Sequence, residues 1–421
     1  MSLSSNFPAI RPSLLLDFQK SRAVDPRITF TRASTATYFD EDGILQSALA
    51  NVPRIDFNPS TLVCNGLLIE EQRTNSIRNN TMVGAVAGTP GTNPTNWDIT
   101  VSPSGITTEI VGTGVEDGIT YIDVRYFGTG SGSASPQIRP ETTTGIVAAA
   151  GQTWTASYYL RIVGGSTTGL SAFSQIWQER DAAGVSLNTV VVTISAPTTA
   201  ALKTQRSILT RTLTDAGTAR LTNRIQFTCA NGVAVDITLR IGLPQLELGA
   251  FATSVIPTTT TALTRNTDVA IMTGTNFSSW YNASEGTLYA DFVLRQTNAA
   301  SAQMLASIND NSPNNRFTLT VAASSNLFLA LRNTSGAGLL QTSTANAAII
   351  GSNKGALAIS TGASIVGNGG TVATNASYAA PVVTQIQIGN QLGAGYFNGT
   401  IQRIAYYPTR LADTTLQALT G

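Results

Sequence analysis

Three carboxylates stand beside a glycine in FDEDG, residues 39–43, where Asp40, Glu41 and Asp42 precede Gly43. Such a group suits a calcium loop, an acid/base pair or a tight turn. The residues before it alternate, with Thr35, Thr37 and Phe39 on one side and Ala36, Tyr38 and Asp40 on the other, and ILQSA resumes β-propensity after the glycine. Asp-Gly at that position supplies the positive φ of a hairpin turn, so a turn explains the stretch without a ligand. Elsewhere acidic residues are sparse. Asp123, Glu179 and Asp181 are available for glycosidase chemistry, which needs two carboxyl groups roughly 5–10 Å apart across a sugar, but no spacing singles out a pair.

Histidine is absent. That removes the commonest general base, the commonest zinc ligand and every histidine-activated nucleophile. No phosphate-loop, nucleophile-elbow, HExxH or EF-hand pattern occurs. Glycine-rich GTGSGSASP (128–136) lacks a following lysine and helix and reads as a surface loop. Cys64 and Cys229 lie far apart with no CxxC, and read as reduced, inert thiols. The chain is therefore expected not to be an enzyme and to hold no cofactor or metal, a structural calcium being the one exception left open.

Binding has better material. In ITYIDVRYF (119–127), alternation sends Ile122, Val124 and Tyr126 to a core and leaves Tyr121, Asp123, Arg125 and Phe127 on the other face. In TWTASYYLR (153–161) it buries Trp154, Ala156, Tyr158 and Leu160 and exposes Ser157, Tyr159 and Arg161. AFSQIWQER (172–180) puts Phe173, Gln175, Trp177 and Glu179 on one side. Aromatic rings flanked by planar polar groups suit a sugar, whose C–H faces stack on a ring while its hydroxyls take paired hydrogen bonds. The candidate glycan-binding set is thus Tyr121, Asp123, Arg125, Tyr159, Arg161, Gln175, Trp177 and Glu179. The alternative for the last strand is that Phe173 and Trp177 are core and Ile176 lies outside.

The elements that must position these residues are strands. Hydrophobic residues make up 42% of the 421 and charged residues only 12%, about half the usual share of roughly 25%, with Thr, Ser, Asn, Gln and Gly filling the remainder. That is a sheet-and-turn composition. With a net charge of +1 and no basic run, nucleic acid is not an expected partner. No stretch is long enough to span a bilayer as a helix and the start lacks a basic n-region, so neither membrane insertion nor secretory export is expected.

Texture divides the chain into three. Residues 1–84 hold much of the charge and end in GLLIEEQRTNSIRNN, a short helix or an extended arm. Residues 85–262 open with a Gly/Pro/Thr/Asn-rich linker and continue as short alternating segments, and residues 263–421 repeat that texture after a Thr-rich joint. VGNGGTV (366–372) marks a hairpin, and RLADTTLQALTG (410–421) a helix with Asp413 as cap and Leu416 and Leu419 on one face. FTRASTAT (30–37) weakly echoes LTRNTDVA (263–270). The expected fold is all-β: two antiparallel β-sandwich, jelly-roll domains behind an N-terminal β-rich module.

RPSLLLDF, DPRITFTRASTATYFDEDG, NVPRIDF and GLLIEEQRTN, in that order, resemble the N-terminal module of bacteriophage and prophage virion proteins of the tail-fibre or head-fibre kind. PQLELGAFATSVIPT (244–258) resembles the closing strand of the jelly roll that follows there, itself similar to carbohydrate-binding modules. FNGTIQRIAYYPTRLADTTLQALTG (397–421) resembles the end of a laminin-G or concanavalin-like sandwich. The resemblance implies a virion fibre, spike or decoration protein, a homotrimer, whose N-terminal module joins other virion proteins and whose sandwiches bind host-surface polysaccharide without cleaving it. It also implies synthesis in a host cytoplasm, and calcium, for which the sequence offers only INDNSPNN (308–315) with Asp310. A purely architectural decoration protein and a polysaccharide depolymerase are the alternatives.

Overall fold

The computed structural model describes residues 11–421 except 103–104, 132–134, 143–144, 297–300, 335–336 and 377–380. The heart of the expected 128–136 loop lies outside the described residues. The protein is all-β with antiparallel pairing throughout its named sheets, as the alternation requires. By contacts the chain divides into two units: one of residues 1–41, 47–72 and 266–421, the other of residues 42–46 and 73–265.

The first unit is a sandwich. Its eight-stranded sheet runs Ala373–Asn375, Ala363–Gly367, Gly351–Ile359, Gly286–Leu294, Gly399–Tyr407, Cys64–Ile69 and Ile55–Phe57, with Leu14–Asp17 also paired to Gly399–Tyr407. Its seven-stranded sheet runs Thr29–Thr31, Val269–Thr273, Gln385–Ile388, Gln303–Asn309, Arg316–Val321, Leu327–Thr334 and Ala337–Ala347. Leu288, Phe292 and Ile404 of the first sheet share one core with Ile308, Leu319 and Ile386 of the second. On the outer face of the eight-stranded sheet the helix Asp413–Thr420 buries Leu416 beside Tyr289, Tyr407 and Val366. Asp413 is its first residue and pairs with Arg410, so it acts through charge in the first turn instead of capping from outside. The 366–372 hairpin forms as expected, with Asn368 and Gly369 both at positive φ.

The boundary expected at residue 84 coincides with neither unit. Segments of the N-terminal stretch contribute strands to both sheets of the first unit, because Leu14, Leu16, Leu67 and Ile69 bury their side chains in its core. GLLIEEQRTN is extended, not helical: the strand Cys64–Ile69 is followed by Arg73–Asn75, which pairs with Leu263–Arg265 in the second unit. The motif arginines and acids also converge. Arg32 (FTRAS), Arg54 (NVPRIDF) and Glu70 (GLLIEE) meet Asp268 of the echoing LTRNTDVA, with Asp268 Oδ1 3.0 Å from Arg32 Nη1, Oδ2 2.6 Å from Arg54 Nη2, and Glu70 Oε2 2.9 Å from Arg54 Nη1. All four side chains are essentially inaccessible. The Arg32 guanidinium also donates to the carbonyls of Ser34, Leu49 and Val52. Burial opposes the charge of Arg54, and Asp268 and Glu70 more than offset it.

FDEDG is the tip of a hairpin between Ala36–Phe39 and Leu45–Ala48, with Gly43 at φ +68°. Glu41 pairs with Arg22, and among the described residues no group of three acidic or cysteine side chains is placed to hold a metal. Asp310 of INDNSPNN accepts hydrogen bonds from Ser312 and Asn315, closing its own turn. No helix among the described residues is long and apolar enough to cross a membrane.

The second unit is another sandwich. A five-stranded sheet runs Arg206–Thr212, Thr153–Gly165, Ala234–Leu248, Ile119–Thr129 and Ile106–Glu116. A six-stranded sheet runs Ser186–Thr193, Leu170–Arg180, Arg220–Cys229, Ser135–Arg139 and Asp98–Ser102, with Ile146–Val147 also on Arg220–Cys229. Ile122, Val124, Tyr126, Trp154 and Tyr158 from one sheet pack against Phe173, Trp177, Ile225 and Phe227 from the other.

Candidate functional site

Alternation places Tyr121, Asp123 and Arg125 on the outer face of the five-stranded sheet, and the register builds the site around them. Tyr121 and Tyr159 both stand opposite Gly242. Asp123 and Arg161 both stand opposite Arg240, and Arg125 stands opposite Thr238. On the far side of Ile119–Thr129 the partners of Tyr121, Asp123 and Arg125 are Gly114, Gly112 and Glu109. Charged and aromatic groups thus rise from a floor of glycine and threonine. A Cβ at Gly112 would meet nothing within 4 Å, so the space above it is open, whereas one at Gly114 would come to 2.6 Å from the Tyr121 hydroxyl.

Arg240, absent from the set read off the sequence, is the hub. Its Nε and Nη2 donate to Asp123 at 2.9 and 2.8 Å, and its Nη1 donates to Glu116 Oε2 at 2.7 Å. Its guanidinium carbon lies 3.5 Å from the centroid of the Tyr121 ring, a cation–π stack. The other Glu116 oxygen accepts from Arg161 Nη1 at 2.7 Å and from the Leu202 N–H at 2.9 Å. Burial pushes the Glu116 carboxyl up, but the Leu202 N–H, Arg240 and Arg161 outweigh it and hold Glu116 below the usual carboxylate range. Arg125 grips Asp236 in a bidentate pair at 2.9 and 2.8 Å, reaches Glu109 at 3.3 Å and stacks on Phe127 at 4.5 Å. Its hydrogen bond to Asp236 raises the affinity of Arg125 for its proton and lowers that of Asp236.

The remaining residues of the sequence-derived set are not at this surface. Tyr159 has the expected orientation but is buried, because Leu202 from the 195–205 segment lies over Gly242 beside it and Arg206 covers its ring. Ser157, expected to be exposed, is buried under Arg206, whose Nη2 donates to its hydroxyl. Gln175, Trp177 and Glu179 point inward. Trp177 belongs to the sandwich core, 0% exposed, and the period of two carries its polar neighbours in with it. Gln175 Nε2 donates to Asn223 Oδ1, which also accepts from the Tyr158 hydroxyl. Glu179 accepts from the N–H groups of Thr214 and Asp215, the Thr218 hydroxyl and Asn188, anchoring the 214–218 turn. Ile176 lies on the outer side, opposite Arg224, but is covered there to 2% exposure.

A second feature, also missed, lies in the first unit. A cavity of about 440 Å³ on the outer face of the eight-stranded sheet is lined by Asp17, Tyr289, Asp291, Lys354, Arg403 and Tyr407, among others. Lys354, Asp291, Arg403 and Asp17 form one row across four strands. Burial raises the Asp291 carboxyl, and Arg403 and Lys354 only partly oppose it. The alternation of GTLYADFVL, with Leu288, Ala290 and Phe292 inward, is the signal that could have placed Tyr289 and Asp291 outside.

No family model matches the chain, and no curated protein matches it. Among solved structures it is similar to a heptameric SAP-like pentraxin from Limulus polyphemus (10% identity, 32% of this chain and 69% of that one, TM-score 0.26) and to mouse laminin alpha1 domains LG4-5 (12%, 60% and 82%, TM-score 0.20). It is also similar to the CBM22-1-CBM22-2 tandem of Paenibacillus barcinonensis Xyn10C (8%, 79% and 100%, TM-score 0.23). At these scores none of the three bears on what this chain does.

Proposed function

We propose that the protein is a virion structural protein of the fibre, spike or decoration kind that binds host-surface polysaccharide without cleaving it. The observation that carries the binding part is the outer face of the five-stranded sheet. There, planar carboxylates and guanidiniums, held in fixed orientation by one another, surround two arginine–aromatic stacks above open space at Gly112. Such groups offer a sugar paired hydrogen bonds, and their mutual pairing holds them in place before the ligand arrives. At this face Glu116 is held below the usual carboxylate range, whereas a glycosidase acid needs a raised pKa.

The virion part rests on the N-terminal motifs named above, and the homotrimer follows from the same resemblance, with three weak sites acting together through avidity. Four measurements test the whole. Immunogold labelling should place the chain on phage-like particles, and sedimentation should give three copies. On a glycan array the intact protein should retain at least one host saccharide, Arg125→Ala should weaken that retention, and no reducing ends should appear on long incubation. Retention unchanged by Arg125→Ala, or release of reducing ends, would dismiss the reading.

A further inference from the structure

The two outer faces of the second unit differ in how their charges are matched. On the five-stranded sheet Arg125, Arg161 and Arg240 each pair with a carboxylate. On the six-stranded sheet Arg139 pairs with Asp98, while among the described residues Arg180 and Arg224 bond to neutral oxygens. Ile138 and Ile225 are core residues paired in register, so Arg139 and Arg224, one step along antiparallel strands, rise side by side on the outer face. Arg224 stands opposite Ile176 on the next strand, and Arg180 lies four residues further along that strand.

The partners of these guanidiniums are mostly neutral. Arg139 meets Asp98, and its Nη2 reaches Gln137 Oε1 at 3.5 Å. Among the described residues Arg224 donates only to glutamine oxygens, Gln178 at 3.3 Å and Gln226 at 3.4 Å. Arg180 donates to the same Gln178 oxygen and to the Gly184 carbonyl. Arg139 is 7% exposed, and its Nε and that of Arg180 are buried without a hydrogen-bond partner among the described residues. Burial first, then Arg139 and Arg180, push the Arg224 guanidinium down to about 10, with Asp98 opposing. Neighbouring like charges, Arg139 buried and Arg180 and Arg224 half-buried, are a donor set suited to an oxyanion.

We infer that Arg139, Arg180 and Arg224 form an oxyanion site on the outer face of the six-stranded sheet, suited to the carboxylate or sulfate of an acidic saccharide or to the free ion. The site is separate from the Tyr121–Arg240 face and does not depend on it. Glutamine oxygens orient the guanidiniums without neutralising them, and an arriving oxyanion cancels the mutual repulsion.

The test uses the intact chain titrated with trigalacturonate, with sodium sulfate, and with a neutral glucose trisaccharide. The two anions should bind competitively and the neutral sugar should not displace them. Arg224→Gln should weaken both by about tenfold or more, the scale of one lost charge-assisted pair, with an unchanged melting temperature certifying the fold. Arg180→Gln serves as the second variant should Arg224→Gln unfold. Tighter binding of trigalacturonate than of sulfate assigns the oxyanion to a saccharide, and equal binding assigns it to a free ion; each supports the site. Absence of anion binding, or anion binding unchanged in the folded variant, overturns it.

Discussion

Replacing Asp268 by asparagine removes one unit of negative charge from a cluster that has no water to replace it. Arg32 and Arg54 both bond to its carboxylate, at 3.0 and 2.6 Å, the Glu70 N–H donates to it at 2.9 Å, and Asp268 is 0% exposed. The two arginines are balanced by Asp268 and Glu70, so the variant leaves a net positive charge in the interior of the first unit. Breaking a buried pair from one side costs about 3–5 kcal/mol. For a unit of roughly 200 residues each kcal/mol moves the melting temperature by about 2–4 °C, so the first unit's transition should fall by some 6–20 °C in scanning calorimetry. Arg22→Ala is the control: its pair with Glu41 is more than half exposed, which limits its worth to about 1 kcal/mol or less. If Asp268→Asn shifted the transition no further than Arg22→Ala does, the reading of the motif residues as a buried ion network would be refuted.

Trp177→Ala should destabilise the second unit by about 3–5 kcal/mol, the cost of emptying a large aromatic site in a core, seen as a lower denaturation midpoint; a variant as stable as the parent would contradict its place in the sandwich. Asp291 gives a pH dependence. Its folded pKa is raised above 3.8 by burial, so the folded state binds the proton more tightly and stability declines as pH rises from the unfolded pKa through the folded one. Asp291→Asn should therefore raise the melting temperature of the first unit at pH 7 and bring little change at pH 3, and equal effects at both would show that burial is not the cause.

Fold class was legible because period two is local. GTLYADFVL, ITYIDVRYF and TWTASYYLR each declare a strand, and NGG declares its turn. What alternation cannot give is the side that meets the partner sheet when both sides carry rings or polar groups. In AFSQIWQER the aromatic side is the core, and Gln175 and Glu179 follow it inward because Asn223 and the 214–218 turn satisfy them there. Arg240 was invisible for a different reason: its role arises from register with Asp123 and Arg161, residues about 80 to 120 positions away. The N-terminal boundary misled because texture reports local charge, and the charges of FTRAS, NVPRIDF and GLLIEE are buried against Asp268, more than 190 residues downstream. The echo between FTRASTAT and LTRNTDVA, given little weight as a pattern, joins adjacent strands of one sheet, Thr29–Thr31 and Val269–Thr273.

The central claim is that saccharide binds the face organised by Arg240. Calorimetric titration of the array's best-retained neutral saccharide into the parent and into Tyr121→Ala tests it most directly, since Tyr121 touches the Arg240 guanidinium, covers Gly114 and borders the open space at Gly112. Folded Tyr121→Ala should bind about tenfold or more weakly, through the loss of one aromatic contact and of the hub it steadies. A folded Tyr121→Ala that binds as the parent does would contradict it.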